Sequence, residues 1–335
     1  MPLPLIPIVL GIFGGVTTGV GVYKGAKGVM DSNKANKVND NAKDIIDDAQ
    51  TGLKAARDNT SGALEELGRE KIGICDTHIA HFLDSFGKLK NVELEKSLGL
   101  QELAKFRIDK ASFEDLKDVS LKASSLIAGT AGGVTAGAAV AFGAYGLAGT
   151  FATASTGTAI GVLHGVAATN ATLAFFGGGA LAAGGLGMTA GTAVLGGLVA
   201  GPALAVIGIV VGASASKKLD DAYANLATAR KVEAELKVLV SACEGIRKRA
   251  GLFTRTLIKL KSILNRQLAQ LEYIISTEGV DYSVYSESSK NTVAMILGTV
   301  QAVKALLDTP ILNEDGSLTS ESETVVNAVR GALNA

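Results

Sequence analysis

No Asp, Glu, Lys or Arg occurs between Ala123 and Ser216, and that gap is the main functional signal in the chain. Other shortages narrow the function classes. Only two cysteines are present, Cys75 and Cys243, far apart in segments of helical pattern; this excludes a disulfide framework and fits a reducing compartment or simple burial. Formal net charge is zero, and Lys and Arg form no evident stripe in the sequence. The phosphate-neutralising footprint of a nucleic-acid binder is therefore not expected. The glycine runs GTAGGV (from Gly129) and GGGALAAGGLG (from Gly177) lack the Lys-Ser/Thr of a phosphate-binding loop and follow no parallel-sheet strand. No serine sits in a nucleophile elbow. Neither catalysis nor a cofactor is expected.

Cys75, His78 and His81 have a metal-like composition. On a helix, however, His81 lies roughly 240° around from Cys75, at ~100° per residue, so no metal site is expected.

Glycine is abundant but concentrated. Of 41 glycines, 22 lie between Ala123 and Ser216 and 7 between Gly11 and Gly28. The first of these regions by chain order is apolar from Pro2 to Tyr23, about the length of one membrane span. It has neither a basic leader nor a small-residue cleavage site, so it does not read as a removable signal peptide. Lys24, Lys27, Lys34 and Lys37 follow it and, as a span, would hold the downstream chain in the cytoplasm. The alternative is a helix buried against the central apolar region.

From about Asn33, apolar residues such as Val38, Ala42, Ile45, Ala49, Leu53, Leu64, Leu67, Ile72, Ile79 and Phe82 recur mostly three or four apart. The pattern predicts a long amphipathic helix, interrupted near Gly68 or Gly73 and up to ~75 Å long. A turn near Asp109 leads to a helix capped by Ser112 that runs into the uncharged region. The amphipathic pattern resumes at Leu219 and continues to Gly279 without a proline, ~85 Å of helix if unbroken. Its spacing is near the coiled-coil period without fixing supercoil or register. Two such helices, joined through an apolar insert, are expected to pair antiparallel. A further helix ends before Pro310, and a last one begins at a capping box formed by Ser320 and Glu323.

The expected architecture is all-α: an elongated bundle of long amphipathic helices with an inserted apolar helical hairpin region. Its segments are an apolar N-terminus (1–30), a first helical region (31–122), the uncharged region (123–216), a second long helix (217–279) and a C-terminal helical segment (280–335). A β-hairpin in the Val- and Thr-rich parts of the insert is the alternative.

The uncharged region is long enough to cross a bilayer three or four times at ~20 residues per span. Its glycines repeat at intervals of four: Gly129, Gly133 and Gly137; Gly157, Gly161 and Gly165; Gly187 and Gly191; Gly197 and Gly201; Gly208 and Gly212. Gly11, Gly15 and Gly19 repeat the device near the N-terminus. Such spacing leaves a strip without side chains, against which another apolar helix can pack closely. Hydrophobicity is mild: from Leu126 to Ala148 only six residues are Leu, Ile, Val or Phe, against ten from Ala193 to Gly212. A segment apolar enough to enter a bilayer and weak enough to stay out suggests conditional insertion, alongside a permanent anchor or a small-residue core. His164 is the one histidine in the region. It is a candidate pH switch, because protonation opposes burial.

Long helices flanking a charge-free Gly/Ala-rich hairpin resemble, from about Asn33 to Gly279, the ClyA-type α-helical pore-forming toxins and, in composition, apolipoprotein L proteins. The segment ATNATLAFFGGGALAAGG, from Ala168 to Gly185, is similar to glycine-rich segments of bacterial proteins of unassigned function. The likeness is one of plan, with no residue motif to transfer. It implies a homo-oligomer and a passage from a soluble form to the bilayer. The expected function is membrane insertion and permeabilisation, with lipid bilayer and further copies of the chain as partners. The alternative is a membrane-anchored, non-catalytic scaffold that binds an unidentified protein.

Overall fold

The computed structural model describes residues 25–92, 110–128, 136–146, 219–313 and 316–334. Within them the chain is all-α, with two isolated bridges, Lys90 to Asp281 and Leu312 to Leu318, and no named strand. Helix α1 (Gly25–Ile74) continues through a π-helical turn (Cys75–Ile79) into α2 (Ala80–Phe86). The irregularity is thus an inserted residue's worth of slack after Ile74 rather than a break at Gly68 or Gly73. Helix α3 (Lys110–Ala128) starts just ahead of Ser112, and α4 (Ala136–Tyr145) is the described helix lying wholly inside the uncharged region. Helix α5 (Leu219–Glu278) is followed by α6 (Glu287–Asp308) and α7 (Ser320–Ala332).

The two long helices run parallel, not antiparallel. Cross-helix contacts rise together in number: Asn39 with Asn225 (3.0 Å), Thr60 Oγ1 with the Cys243 carbonyl (2.9 Å), Glu70 with Lys261 (2.9 Å) and His81 with Glu272 (2.7 Å). The return path makes this possible. Helix α3 runs back along the π turn, with Phe113 edge-on to Phe82 and tilted against Phe86, and with Ser120 donating to the Cys75 carbonyl (3.1 Å). Helix α4 continues the descent, setting Ala139 beside Gly68 and Gly143 beside Leu64. Residues 147–218 then connect to α5, which starts level with the first turns of α1.

The heptad that spacing alone left undecided is regular along α5. Ala222, Ala229, Leu236, Cys243, Ala250, Leu257, Leu264 and Leu271 are seven apart and all buried. Opposite them α1 offers Ala35, Ala42, Ala49, Ala56 and Ala63, also seven apart. A seven-residue apolar repeat on both partners keeps the seam facing inward, as in a coiled coil. Below Thr60, among the described residues, the two helices pack on each other through two small clusters, Ala42, Ile46 and Ala229, then Leu53, Leu236 and Cys243. Above it, all seven helices contribute to one continuous core.

One local expectation shifts. The last helix is capped by Thr319, whose hydroxyl accepts from the Ser322 amide (3.2 Å); Glu323, freed from the capping role, pairs with Arg249 at 2.9 Å. Helix α6 is capped by Ser286, reinforced by Glu278, which accepts from the Ser286 amide (2.8 Å) and the Ser289 hydroxyl (2.5 Å).

Candidate functional site: the seat of the uncharged helix

Helix α4, AGAAVAFGAY, has no polar face. A helix apolar on every side needs burial all round or a bilayer, and here it is buried: Ala139, Phe142, Ala144 and Tyr145 are each less than a tenth exposed.

Its seat is made by backbone meeting backbone. A Cβ placed on Gly68 of α1 would stand 1.8 Å from the Ala139 carbonyl oxygen, and one on Gly143 of α4 would stand 2.1 Å from the Leu64 carbonyl oxygen. Two reciprocal glycines thus let the helices touch where any side chain would hold them apart. Glycine packing of the uncharged region is therefore present, but on a pair that the four-residue spacing did not single out. Of the glycines that it did, Gly137 lies in α4; Gly11, Gly15, Gly19, Gly129, Gly133, Gly157, Gly161, Gly165, Gly187, Gly191, Gly197, Gly201, Gly208 and Gly212 lie outside the described residues, as does His164.

The C-terminal end of α4 is clasped by the loop between α6 and α7. The Ala144 carbonyl accepts from the amides of Ile311 (2.7 Å) and Leu312 (3.1 Å), satisfying one of the carbonyls a helix end leaves open. Gly146 turns away with φ +61° and presses on the α6 terminus, where a Cβ would come 2.6 Å from the Leu307 oxygen.

That same oxygen is the acceptor for Lys71 Nζ, 3.4 Å away. Lys71 has no exposed surface, and its ammonium lies 5.7 Å from the centre of the Phe253 ring. Burial lowers its pKa from 10.5 to about 7, against the pull of Cys75 and Asp308. Cys75 gives little help at neutral pH, since burial pushes its own thiol up to about 12 and keeps it neutral. Asp308 is already engaged by Lys304 at 2.5 Å, and Lys304 also holds Asp115 at 2.6 Å. Burial raises the Asp308 pKa in spite of that partner. Beneath the seat of α4 there is thus a lysine whose charged form is poorly supported, a costly arrangement.

The Cys75, His78 and His81 trio diverges. Cys75 enters the core, His78 Nδ1 lies 2.6 Å from Thr77 Oγ1, and His81 Nε2 lies 2.7 Å from Glu272. Among the described residues no group of three or more His, Cys, Asp or Glu is placed to hold a metal. No described helix is long and apolar enough to cross a membrane.

What the sequence missed here is Lys71 and the Gly68–Gly143 contact. Lys71 does carry a signal: it falls between Leu67 and Ile74 on the apolar stripe, where a charge is out of pattern. No family model, curated protein or solved structure matches the chain, so the reading of this site rests on its geometry alone.

Proposed function

We propose that the protein is membrane-active: it holds the start of its uncharged region docked in a helical bundle and releases that region to a bilayer as an apolar, glycine-packed hairpin. Self-association through glycine faces and permeabilisation follow. The observation that carries this reading is α4, an unrelievedly apolar helix seated over a buried lysine. Moving Phe142 from the core to lipid keeps it from water in both states, so the two seats differ much less than the ~1.5–3 kcal/mol that exposing such a side chain costs. Lys71, by contrast, gains water as soon as its cover lifts. The docked state is thereby biased toward release. Helix α4 is ten residues long, ~15 Å against a hydrocarbon core of ~30 Å, so a span requires residues beyond it.

The test is dye release from vesicles by the full chain, together with a carbonate wash of the vesicle pellet. Carbonate-resistant binding with dye release is the expected result. Absence of both at every pH tried would refute the proposal, and protein present from the outset only in the washed membrane pellet would favour the permanent anchor.

A further inference from the structure

Between Glu244 and Glu272, α5 carries seven lysines and arginines and no aspartate or glutamate, in a chain whose formal net charge is zero. Folding neutralises two of them: Arg249 pairs with Glu323 and Lys261 with Glu70, each at 2.9 Å. Lys248, Arg255 and Arg266 are exposed and make no ion pair with a described residue. Lys259 donates to two neutral oxygens, the Leu333 carbonyl and Asn334 Oδ1, both at 3.1 Å.

The positions 248, 255, 259 and 266 are seven, four and seven apart, which puts them on one stripe of the helix; this corrects the expectation that Lys and Arg form no stripe, because the row becomes evident only once α5 is an unbroken helix. That stripe is about half a turn from the buried row of Ala250, Leu257 and Leu264. Helix α7 adds Arg330, which lines a cleft of about 220 Å³ between α5 and α7 together with Arg255 and Lys259; no carboxylate side chain is in the lining. The fringe is apolar: Tyr273, a heptad beyond Arg266, is 69% exposed, and Ile258 is 49% exposed.

We propose that this face of α5 and α7 binds the anionic headgroups of a lipid bilayer. A straight row of cations ~27 Å long with an aromatic and an aliphatic residue at its edge suits a flat anionic surface, where rings settle at headgroup depth. A duplex groove would call for polar readers of base edges in that fringe. Position agrees as well. The contacts of Thr60 with Cys243 and of Glu70 with Lys261 bracket both most of the cationic stripe on α5 and the glycine seat of α4 on α1, so binding here brings a bilayer to the level from which α4 would leave. The proposal rests on the membrane reading above and names the surface it recognises.

The experiment is flotation of the full chain with vesicles of phosphatidylcholine alone and with phosphatidylglycerol added, at low and high salt. The triple variant Lys248→Gln, Arg255→Gln, Arg266→Gln, which spares the Lys259 contacts, runs beside it with its melting temperature measured as a folding control. Expected are selective, salt-sensitive binding to the anionic vesicles and a loss on the order of a hundredfold in the variant, roughly fivefold for each charge near the surface. Equal binding to both vesicle types, unchanged binding by a folded variant, or capture of duplex DNA without vesicle binding overturns the inference. Dye release read on the same samples separates the two ideas. Salt-reversible anionic binding without release supports this face and sinks the permeabilising function; release from neutral vesicles that survives in the variant does the reverse.

Discussion

Replacing Lys71 by Met should stabilise the docked state and suppress release. The side chains are similar in volume, so the core keeps its packing, while the Leu307 carbonyl loses only a long contact of 3.4 Å. The magnitude follows from the ionisation of Lys71. Its pKa in the fold is about 7 against an ordinary 10.5. In that window the unfolded chain binds a proton that the folded chain does not, so stability falls as pH falls from about 10.5 to about 7. Below about 7 both states are protonated and the penalty is constant. At about 1.4 kcal/mol for each pH unit, the full penalty approaches about 5 kcal/mol at neutral pH and vanishes above about pH 10.5. The assay is urea unfolding of wild type and Lys71→Met at pH 6 through 10 in steps of about one unit, scored as the difference in unfolding free energy. The variant should be more stable by about 3–5 kcal/mol near neutrality, with the gap closing toward alkaline pH. A gap independent of pH, or a less stable variant, would mean that Lys71 is charged and well supported, and the account of the seat would fail. In vesicle assays the same variant should release less dye.

Gly68→Ala or Gly143→Ala sets a methyl group against a backbone oxygen that cannot swing aside; each should cost about 3 kcal/mol or more of docking and raise lipid binding, and a variant that melts and binds like wild type would dismiss the reciprocal contact. Cys75 and Cys243 are both buried with their thiol pKa values raised, chiefly by burial, so neither should react with maleimide in the absence of vesicles. On addition of vesicles Cys75, under α3, should become reactive while Cys243, packed against α1, stays protected; mass spectrometry of the labelled peptides decides it. Converting the Asn39 and Asn225 pair to leucine on both helices should strengthen the pairing of α1 with α5 by about 1–2 kcal/mol at the expense of register. Lower stability in that double variant would show the amide pair to be a net stabiliser.

Much of the helical plan was legible in the residues. The stripe from Leu219 onward gave α5 its start and its stop before Gly279, and Pro310 marked the end of α6, because the period of buried side chains and the local breakers act within one segment. Cap assignment was off by one residue at Thr319, where either neighbour could accept the Ser322 amide; in the fold Thr319 accepts it while Glu323 pairs with Arg249 of α5. An interruption was expected near Gly68 or Gly73, but its form, a π turn from Cys75, was invisible, because a π turn needs no glycine; it is accommodated against α3, through Ser120 and through Ser124, which donates to Asp76.

The sequence by itself determined that the chain is helical, that its two longest helices each carry a stripe needing cover, and that a stretch between them, Ala123 to Ser216, bears no charge. Direction was left to the tertiary structure. A stripe is covered equally well by a parallel or an antiparallel partner, and it was the descent of α3 and α4 along α1 that allowed α5 to start from the same end. Among the described residues, the tertiary structure also brought together two glycines that spacing did not pair: Gly68 sits on the charged helix and Gly143 outside the regular four-residue series, and their meeting brings the backbones of α1 and α4 into contact. Lys71 shows the same division: its place on the apolar stripe is written in the chain, but its burial against the Phe253 ring of α5 and the Leu307 carbonyl of α6 comes from the packing.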